Sequence, residues 1–72
     1  MPVFIEASET LRQVIPAGTT LERVQTVGEA ISQLNLPRNL MPVVMVNGRL
    51  AHWNTEVRDG DVLKLLPPIA GG

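Results

Sequence analysis

The chain has no cysteine and no tyrosine among its 72 residues, and it has only one phenylalanine, one tryptophan and one histidine. Without cysteine, disulfides, thiolate metal sites and a cysteine nucleophile are excluded. A single imidazole with no acidic cluster nearby makes a poor metal site, so we expect no bound metal and interpret His52 as a surface or loop residue. A small domain without disulfides suits the reducing cytoplasm, where we expect this protein.

Blocks of like charge and long apolar runs are also missing. Six basic and seven acidic residues give a net charge of −1. Because no basic stripe with stacking platforms is present, we expect no nucleic-acid partner. No apolar run approaches the length of about 18 residues that a membrane span requires. The first residues do not combine a charged region with an apolar stretch, so we expect no signal peptide.

The composition that is present suits one small folded domain. Apolar residues make up 44% of the chain, and a chain of this length leaves little room for an enclosed active site. Ser8 and Thr10 have no evident base partner, so they do not indicate nucleophilic catalysis. Asp59 and Asp61 flank a glycine, which is typical of turn residues rather than of paired catalytic carboxylates.

The clearest helix is predicted to begin at Thr26. Thr26 and Glu29 have the Thr-x-x-Glu spacing of a capping box, in which each side chain accepts a hydrogen bond from the backbone near the other. Apolar residues follow at the spacing that lines one helical face, namely Val27, Ala30, Ile31 and Leu34. The Asn-Leu-Pro sequence at residues 35–37 is predicted to end the helix.

Alternating or continuous apolar patterns predict five strands. They cover residues 2–7, 19–25, 41–46, 49–53 and 61–66, with Val3 and Ile5 on one face of the first. A short helical segment capped by Ser8 is predicted over residues 9–14. The pair Asn47-Gly48 favours a type I′ hairpin turn, and Asp59-Gly60 favours a second tight turn.

The order of these elements predicts an α+β fold, the β-grasp or ubiquitin-like arrangement. One main helix would cover one face of a mixed four- to five-stranded sheet, and the last strand would lie centrally beside the first. We assign residues 1–66 to the β-grasp domain and residues 67–72 to an extended, flexible tail that ends in Gly-Gly.

The composition of the tail indicates a backbone end that enters another protein. Pro67 and Pro68 cannot donate to a sheet ladder, so they end the last strand and favour an extended path. Gly71 and Gly72 lack a Cβ atom, so their backbone fits the walls of a narrow channel. We therefore expect the free carboxylate of Gly72 to be the working group.

The chain resembles the ThiS/MoaD family of sulfur carrier proteins over nearly its whole length. The matching segments are residues 11–14, 26–30, 46–48, 59–62 and 67–72. A terminal Gly-Gly alone would be a weak signal, but Asp-Gly-Asp, a short apolar strand and Pro-Pro-x-x-Gly-Gly in that order are far more specific. The Leu-Arg segment after the first strand and the two prolines look like the small subunit of molybdopterin synthase.

The resemblance implies a carrier protein or non-catalytic subunit rather than an enzyme. A MoeB/ThiF-like adenylating enzyme of the ubiquitin-activating type would use ATP to join the Gly72 carboxylate to AMP. A persulfide donor would then convert the adenylate to a thiocarboxylate, with no permanently bound cofactor. The acceptor would be the large subunit of molybdopterin synthase or a thiazole synthase.

The resemblance also implies a partner-binding surface. Leu50 and Leu66 match family positions that pack against a partner, although a core position would suit each of them equally well. Arg49, Arg58 and Lys64 are expected at the rim of this patch, where they would steer an acidic partner. The remaining partner-binding residues lie in the tail: Pro67, Pro68, Ile69, Ala70 and Gly71.

The sequence leaves the pathway open. A thiamine-pathway carrier for thiazole synthesis remains an alternative, because such tails also read Ile-Ala-Gly-Gly. A ubiquitin-like protein modifier or a tRNA-thiolation carrier would share the same activation step. A β-grasp interaction module with an inert tail is the remaining alternative.

Overall fold

A computed structural model describes residues 1–37 and 41–67 of the chain, apart from the side chains of Glu9 and Thr10. The elements in chain order are β1 (Val3–Ala7), a 3₁₀ helix (Glu9–Gln13), β2 (Thr20–Leu21), α1 (Val27–Leu34), β3 (Val43–Val46), β4 (Arg49–Leu50) and β5 (Val62–Leu66). The predicted α+β fold is confirmed. None of the helices in the described ranges has the length and apolar character needed to cross a lipid bilayer.

The five strands form one mixed sheet in the order β2-β1-β5-β3-β4. The last strand, β5, lies in the middle, parallel to β1 and antiparallel to β3. The two outer pairs, β1 with β2 and β3 with β4, are antiparallel. The predicted central position of the last strand beside the first is therefore confirmed.

The capping box fixes the start of α1. The backbone N–H of Glu29 donates to Thr26 Oγ1 at 3.2 Å. In return, Glu29 Oε1 accepts from the backbone N–H of Gln25 at 3.1 Å, one residue before the cap. At the other end Asn35 has a φ of 55°, and its N–H donates to the Ser32 carbonyl. The predicted start and end of this helix are both confirmed.

Within the described residues, the core lies between α1 and one face of the sheet, and it is entirely aliphatic. It consists of Val3, Ile5, Leu11, Ile15, Val24, Val27, Ala30, Ile31, Val44, Val57, Leu63 and Leu65. Val3 and Ile5 share a face as predicted. Both aromatic residues lie outside the core, because Phe4 is 38% exposed and Trp53 is 46% exposed.

All five strands are shorter than the sequence predicts. β1 and β5 begin one residue late and β3 begins two residues late, and the largest differences are in β2 and β4. The prediction of a strand over residues 19–25 is wrong beyond Leu21, because Arg23 has a φ of 62°, which extended backbone does not allow. Val24 beyond it is turned into the core. The prediction of a strand over residues 49–53 is wrong beyond Leu50, because the chain turns at His52, where the Thr55 N–H donates to the His52 carbonyl at 3.1 Å.

The two predicted tight turns are present. Asn47 and Gly48 have φ angles of 51° and 86°, as both central residues of a type I′ turn require. Gly60 has a φ of 87°, which is favourable only for a residue without a Cβ atom. Both turns lie at the same end of the sheet, opposite the end where β5 finishes, because Val46 pairs with Leu63 and Val43 pairs with Leu66.

Candidate docking face and tail base

One face of the sheet points away from α1 and from the core. Successive residues of a strand point to opposite faces, and Leu63, Leu65 and Val44 are buried on the helix side. Their neighbours therefore point the other way, and cross-strand partners share a face. We call this surface the open face, and its residues are Phe4, Glu6, Thr20, Val43, Met45, Leu50, Val62, Lys64 and Leu66.

The open face is mainly apolar. Leu50 is 70% exposed and Phe4 is 38% exposed, whereas the other apolar members are half-buried against one another. A contiguous exposed apolar surface of this kind marks interaction sites in soluble proteins. The open face is therefore the best candidate in the described part of the chain for contact with another protein.

One cation lies near the centre of the open face. Lys64 of β5 is exposed, and its register partners are Glu6 on one side and Met45 on the other. A partner that covers this face would therefore have to leave Lys64 beside the Glu6 carboxylate or supply an acidic or polar group to it.

The structure brings the predicted residues Leu50 and Leu66 onto the same face. Leu50 is opposite Met45, and Leu66 is opposite Val43. Of the three basic residues predicted at the rim, Lys64 lies on this face. Arg49 pairs with the core-facing Val46, so it belongs to the helix side, and Arg58 precedes β5 at the end remote from the tail.

Sequence reasoning missed four apolar members of the open face: Phe4, Val43, Met45 and Val62. Phe4 could have been found, because Val3 and Ile5 are predicted to share one face of the first strand and Phe4 lies between them. Val43 and Met45 were hidden within a continuous apolar run, in which alternation between two faces cannot be recognised.

The end of β5 is held on both sides at the base of the tail. On one side the backbone N–H of Ser8 donates to the Leu65 carbonyl at 3.1 Å, and Ser8 Oγ donates to the same oxygen at 3.3 Å. Ser8 was predicted to cap the 3₁₀ helix, but its side chain makes no cap hydrogen bond. On the other side Leu66 pairs with Val43.

The tail itself is largely outside the described residues. Pro67 is described and is half-buried immediately after β5. The predicted site residues Pro68, Ile69, Ala70, Gly71 and Gly72 lie outside the described residues. The proposed role of the Gly72 carboxylate therefore stays a prediction.

The start of β5 is held by an amide and a carboxylate. Asn47 Nδ2 donates to Asp61 Oδ1, and Asn47 Oδ1 accepts from the backbone N–H of Val62, both at 2.9 Å. The backbone N–H of Arg58 donates to Asp61 Oδ2 at 2.9 Å. We call this group the Asn47–Asp61 clamp. The hydrogen bond from Arg58, followed by that from Asn47, lowers the pKa of Asp61 below its ordinary value.

One hollow in the described part of the chain, of about 390 Å³, lies beside α1 and β4. His52 is the one titratable side chain that lines it, so this hollow does not resemble an active site. His52 is exposed in a loop, as predicted. Within residues 1–37 and 41–67, no group of three potential metal ligands lies close enough to hold an ion.

Known proteins share this fold. A protein from Pyrococcus furiosus described as molybdopterin converting factor subunit 1 superposes with a TM-score of 0.78 at 21% identity, over 96% of this chain and 99% of that one. SAMP1 from Haloferax volcanii also gives 0.78 at 21% identity, over the whole of both chains. A complex of subunits 1 and 2 of molybdopterin-converting factor from Helicobacter pylori gives 0.68 at 24% identity, again over the whole of both matched chains.

The sequence comparison identifies the family. None of the curated proteins matches this sequence, but the model of the ThiS family matches residues 5–72. That range includes nearly the whole chain, and the structural similarities independently give the ubiquitin-like fold that was predicted for a sulfur carrier of the ThiS/MoaD type. The chain belongs to the ThiS family.

Proposed function

We propose that this protein is a sulfur carrier whose working group is the carboxylate of Gly72. A carboxylate is a poor electrophile, because its charge is delocalised and its leaving group would be oxide. A MoeB/ThiF-like adenylating enzyme would transfer AMP from ATP to the carboxylate and release pyrophosphate. A persulfide sulfur would then attack the mixed anhydride and displace AMP, which leaves a thiocarboxylate on Gly72 after the S–S bond is cleaved by a thiol.

The observation that carries this proposal is the position of β5 in a ThiS-family chain. β5 is the central strand, it pairs with β1 and β3 along its length, and Pro67 follows its last residue. A tail attached to the most firmly held strand moves little at its base, so less entropy is lost when its end enters a partner. Residues 67–72 at about 3.1 Å each would extend roughly 19 Å in a polyproline II conformation.

The open face supports a docking role in the same proposal. Leu50 is exposed on it, and Leu66 lies on it at the base of the tail. A partner that covers the open face would receive the tail beside it, with Pro67, Pro68, Ile69, Ala70 and Gly71 as the contacts that lead to Gly72. The chain would act as a non-catalytic subunit or co-substrate, and ATP would be bound by the adenylating enzyme.

For the pathway, we propose molybdopterin synthesis, with the large subunit of molybdopterin synthase as acceptor. This choice is supported by the fold similarity to molybdopterin converting factor subunit 1 and to the complex of its subunits 1 and 2. Thiazole synthase would be the acceptor in the thiamine alternative. The second candidate is a protein modifier. It is favoured by the fold similarity to SAMP1 and to a structure of H. volcanii small archaeal modifier protein 1.

The decisive experiment uses the purified chain with a MoeB/ThiF-like enzyme, and it measures ATP–pyrophosphate exchange and intact mass. We expect exchange that depends on the chain, and, with a persulfide donor, a product about 16 Da heavier, since attack by sulfur replaces one oxygen. Deletion of Gly72 and the variant Gly71→Val should fold normally and abolish both signals. Exchange that survives the deletion would contradict the proposal.

The same preparation separates the two candidate functions. High-mass conjugates that disappear when Gly72 is deleted would favour the modifier. Formation of molybdopterin with a large synthase subunit, without conjugates, would favour the cofactor pathway. The mass of the protein purified from its own cells would also show whether Gly72 is the terminal residue, which the carrier mechanism requires.

A further inference from the structure

Asn47 combines the properties of a chemically labile residue. It is exposed in a tight turn, and Gly48 follows it. The backbone nitrogen of the next residue can attack an asparagine side-chain carbonyl carbon, and the attack is least hindered when that residue has no Cβ atom. Of the other asparagines, Asn35 and Asn39 precede leucine and Asn54 precedes threonine, so Asn47 alone has an unhindered neighbour.

In the folded protein the reactive amide is bonded to two partners. Asn47 Nδ2 is bonded to Asp61 Oδ1, and Asn47 Oδ1 is bonded to the Val62 N–H, so both ends of the amide are fixed to the start of β5. The Asn47 backbone N–H also donates to the Val62 carbonyl at 2.9 Å. For the Gly48 nitrogen to reach the Asn47 Cγ atom, the side chain must first leave the Asn47–Asp61 clamp.

We propose that Asn47 is a deamidation site whose rate is controlled by opening of the Asn47–Asp61 clamp. The Gly48 nitrogen loses its proton and forms a bond to Asn47 Cγ, while the Cγ–Nδ2 bond breaks and ammonia leaves. Water then opens the resulting succinimide at either carbonyl, which gives aspartate or isoaspartate at position 47. The reaction requires only water and no oxidant or reductant.

Both products would weaken the clamp. An aspartate at this position loses the Nδ2–H donor and places a second carboxylate against Asp61, where the two like charges repel each other. An isoaspartate adds one backbone carbon to a two-residue turn, which disturbs the pairing of Val46 with Arg49. Because the clamp is at the end of β5 remote from Pro67, the modification would lower stability without altering the proposed chemistry of Gly72.

The test follows deamidation of the full chain during prolonged incubation at neutral pH, by intact mass and by peptide mapping for isoaspartate. We expect conversion at Asn47 well ahead of Asn35, Asn39 and Asn54. The variant Asp61→Ala removes the acceptor of Nδ2 and should raise the rate at Asn47 by about tenfold, because the rate follows the population of the locally open state.

A matched control separates local opening from loss of global stability. Thr26→Ala removes the helix cap and none of the hydrogen bonds of the clamp, so it should lower the melting temperature and leave the rate at Asn47 near that of the wild type. Equal acceleration in both variants, no acceleration in Asp61→Ala, or faster conversion at another asparagine would overturn the proposal.

A second comparison does not depend on whether Asp61→Ala folds. A peptide of residues 43–52 contains Asn47-Gly48 without Asp61 or Val62 and gives the unprotected rate. We expect the folded chain to deamidate at least about tenfold more slowly than the peptide, and equal rates would overturn the proposal. Adenylation of the variant Asn47→Asp should remain normal at low temperature, whereas failure of the carrier function would abolish adenylation of the wild type as well.

Discussion

Leu66, the last residue of β5, pairs with Val43, the first residue of β3, and both lie on the open face of the sheet. The residue before it, Leu65, points the opposite way and is fully buried. Leu65 and Leu66 are therefore adjacent in β5 but have different structural roles. Leu65 packs in the core, whereas Leu66 lies half-buried on the open face.

Alanine substitutions at Leu65 and Leu66 should distinguish a role in stability from a role in binding. Leu65→Ala removes a fully buried side chain and should destabilise the domain by about 2–5 kcal/mol. Leu66→Ala removes a half-buried side chain and should cost much less, but it should weaken binding to the adenylating enzyme. Urea unfolding with an unchanged m-value checks the first effect. Equal destabilisation by the two variants would contradict the assignment of the two faces.

We expect the stability of the domain to depend on one oxygen atom of the helix cap, Thr26 Oγ1. Thr26→Ala removes the acceptor of the Glu29 N–H and should cost about 1 kcal/mol. Thr26→Ser keeps the hydroxyl and should remain close to the wild type. Both values can be read from urea unfolding curves, and a loss of equal size in the serine variant would assign the effect to the threonine methyl group instead.

The Asn47–Asp61 clamp predicts that stability falls in acid. The pKa of Asp61 in the folded protein is below its ordinary value of 3.8, because the N–H of Arg58 and the amide of Asn47 favour the charged form. The folded state therefore binds the proton less tightly than the unfolded state. The contribution of Asp61 to the free energy of unfolding is fully present above the pKa that Asp61 has in the unfolded chain. This contribution is lost as the pH falls through the lower pKa that Asp61 has in the folded protein.

Thermal unfolding followed by circular dichroism from neutral pH downwards should detect this contribution. Asp61→Asn should be less stable than the wild type at neutral pH, and the difference should shrink in acid. Asp59→Asn is the matched control, because it removes the same charge from the neighbouring turn, where the carboxylate contacts the N-terminal amine at 3.4 Å. A difference between Asp61→Asn and the wild type that persists unchanged in acid would contradict the role of the Asp61 charge.

The elements that the sequence predicts well are those whose local signals agree with the tertiary contacts. The capping box at Thr26 and the Asn47-Gly48 turn depend on residues a few positions apart, so their patterns are visible in the sequence. The central position of β5 follows from the β-grasp topology once the order of elements is known.

The predictions for β2 and β4 were several residues too long because of tertiary hydrogen bonds. After β4 the Ala51 N–H still donates to the Val44 carbonyl of β3 at 2.9 Å, but the chain then bonds to the start of α1. The Trp53 carbonyl accepts from the Gly28 N–H at 2.9 Å, and the Thr55 carbonyl accepts from the Val27 N–H at 3.0 Å. After β2, the Gln25 carbonyl accepts from the Val57 N–H at 2.9 Å. These partners are distant in sequence, so periodicity could not reveal them.

Leu50 gives the most direct test of the open face. It is 70% exposed and lies opposite Met45, so Leu50→Glu should change the free energy of unfolding by no more than about 0.5 kcal/mol. If a partner covers this face, the buried carboxylate should weaken binding, raise the KM of the adenylating enzyme for the chain and leave kcat nearly unchanged. Gln33→Glu adds the same charge at an exposed position of α1, on the other side of the sheet, and should leave KM unaltered. A normal KM for Leu50→Glu would exclude the open face as the docking surface for that enzyme, and an equal rise in both variants would indicate a general effect of charge.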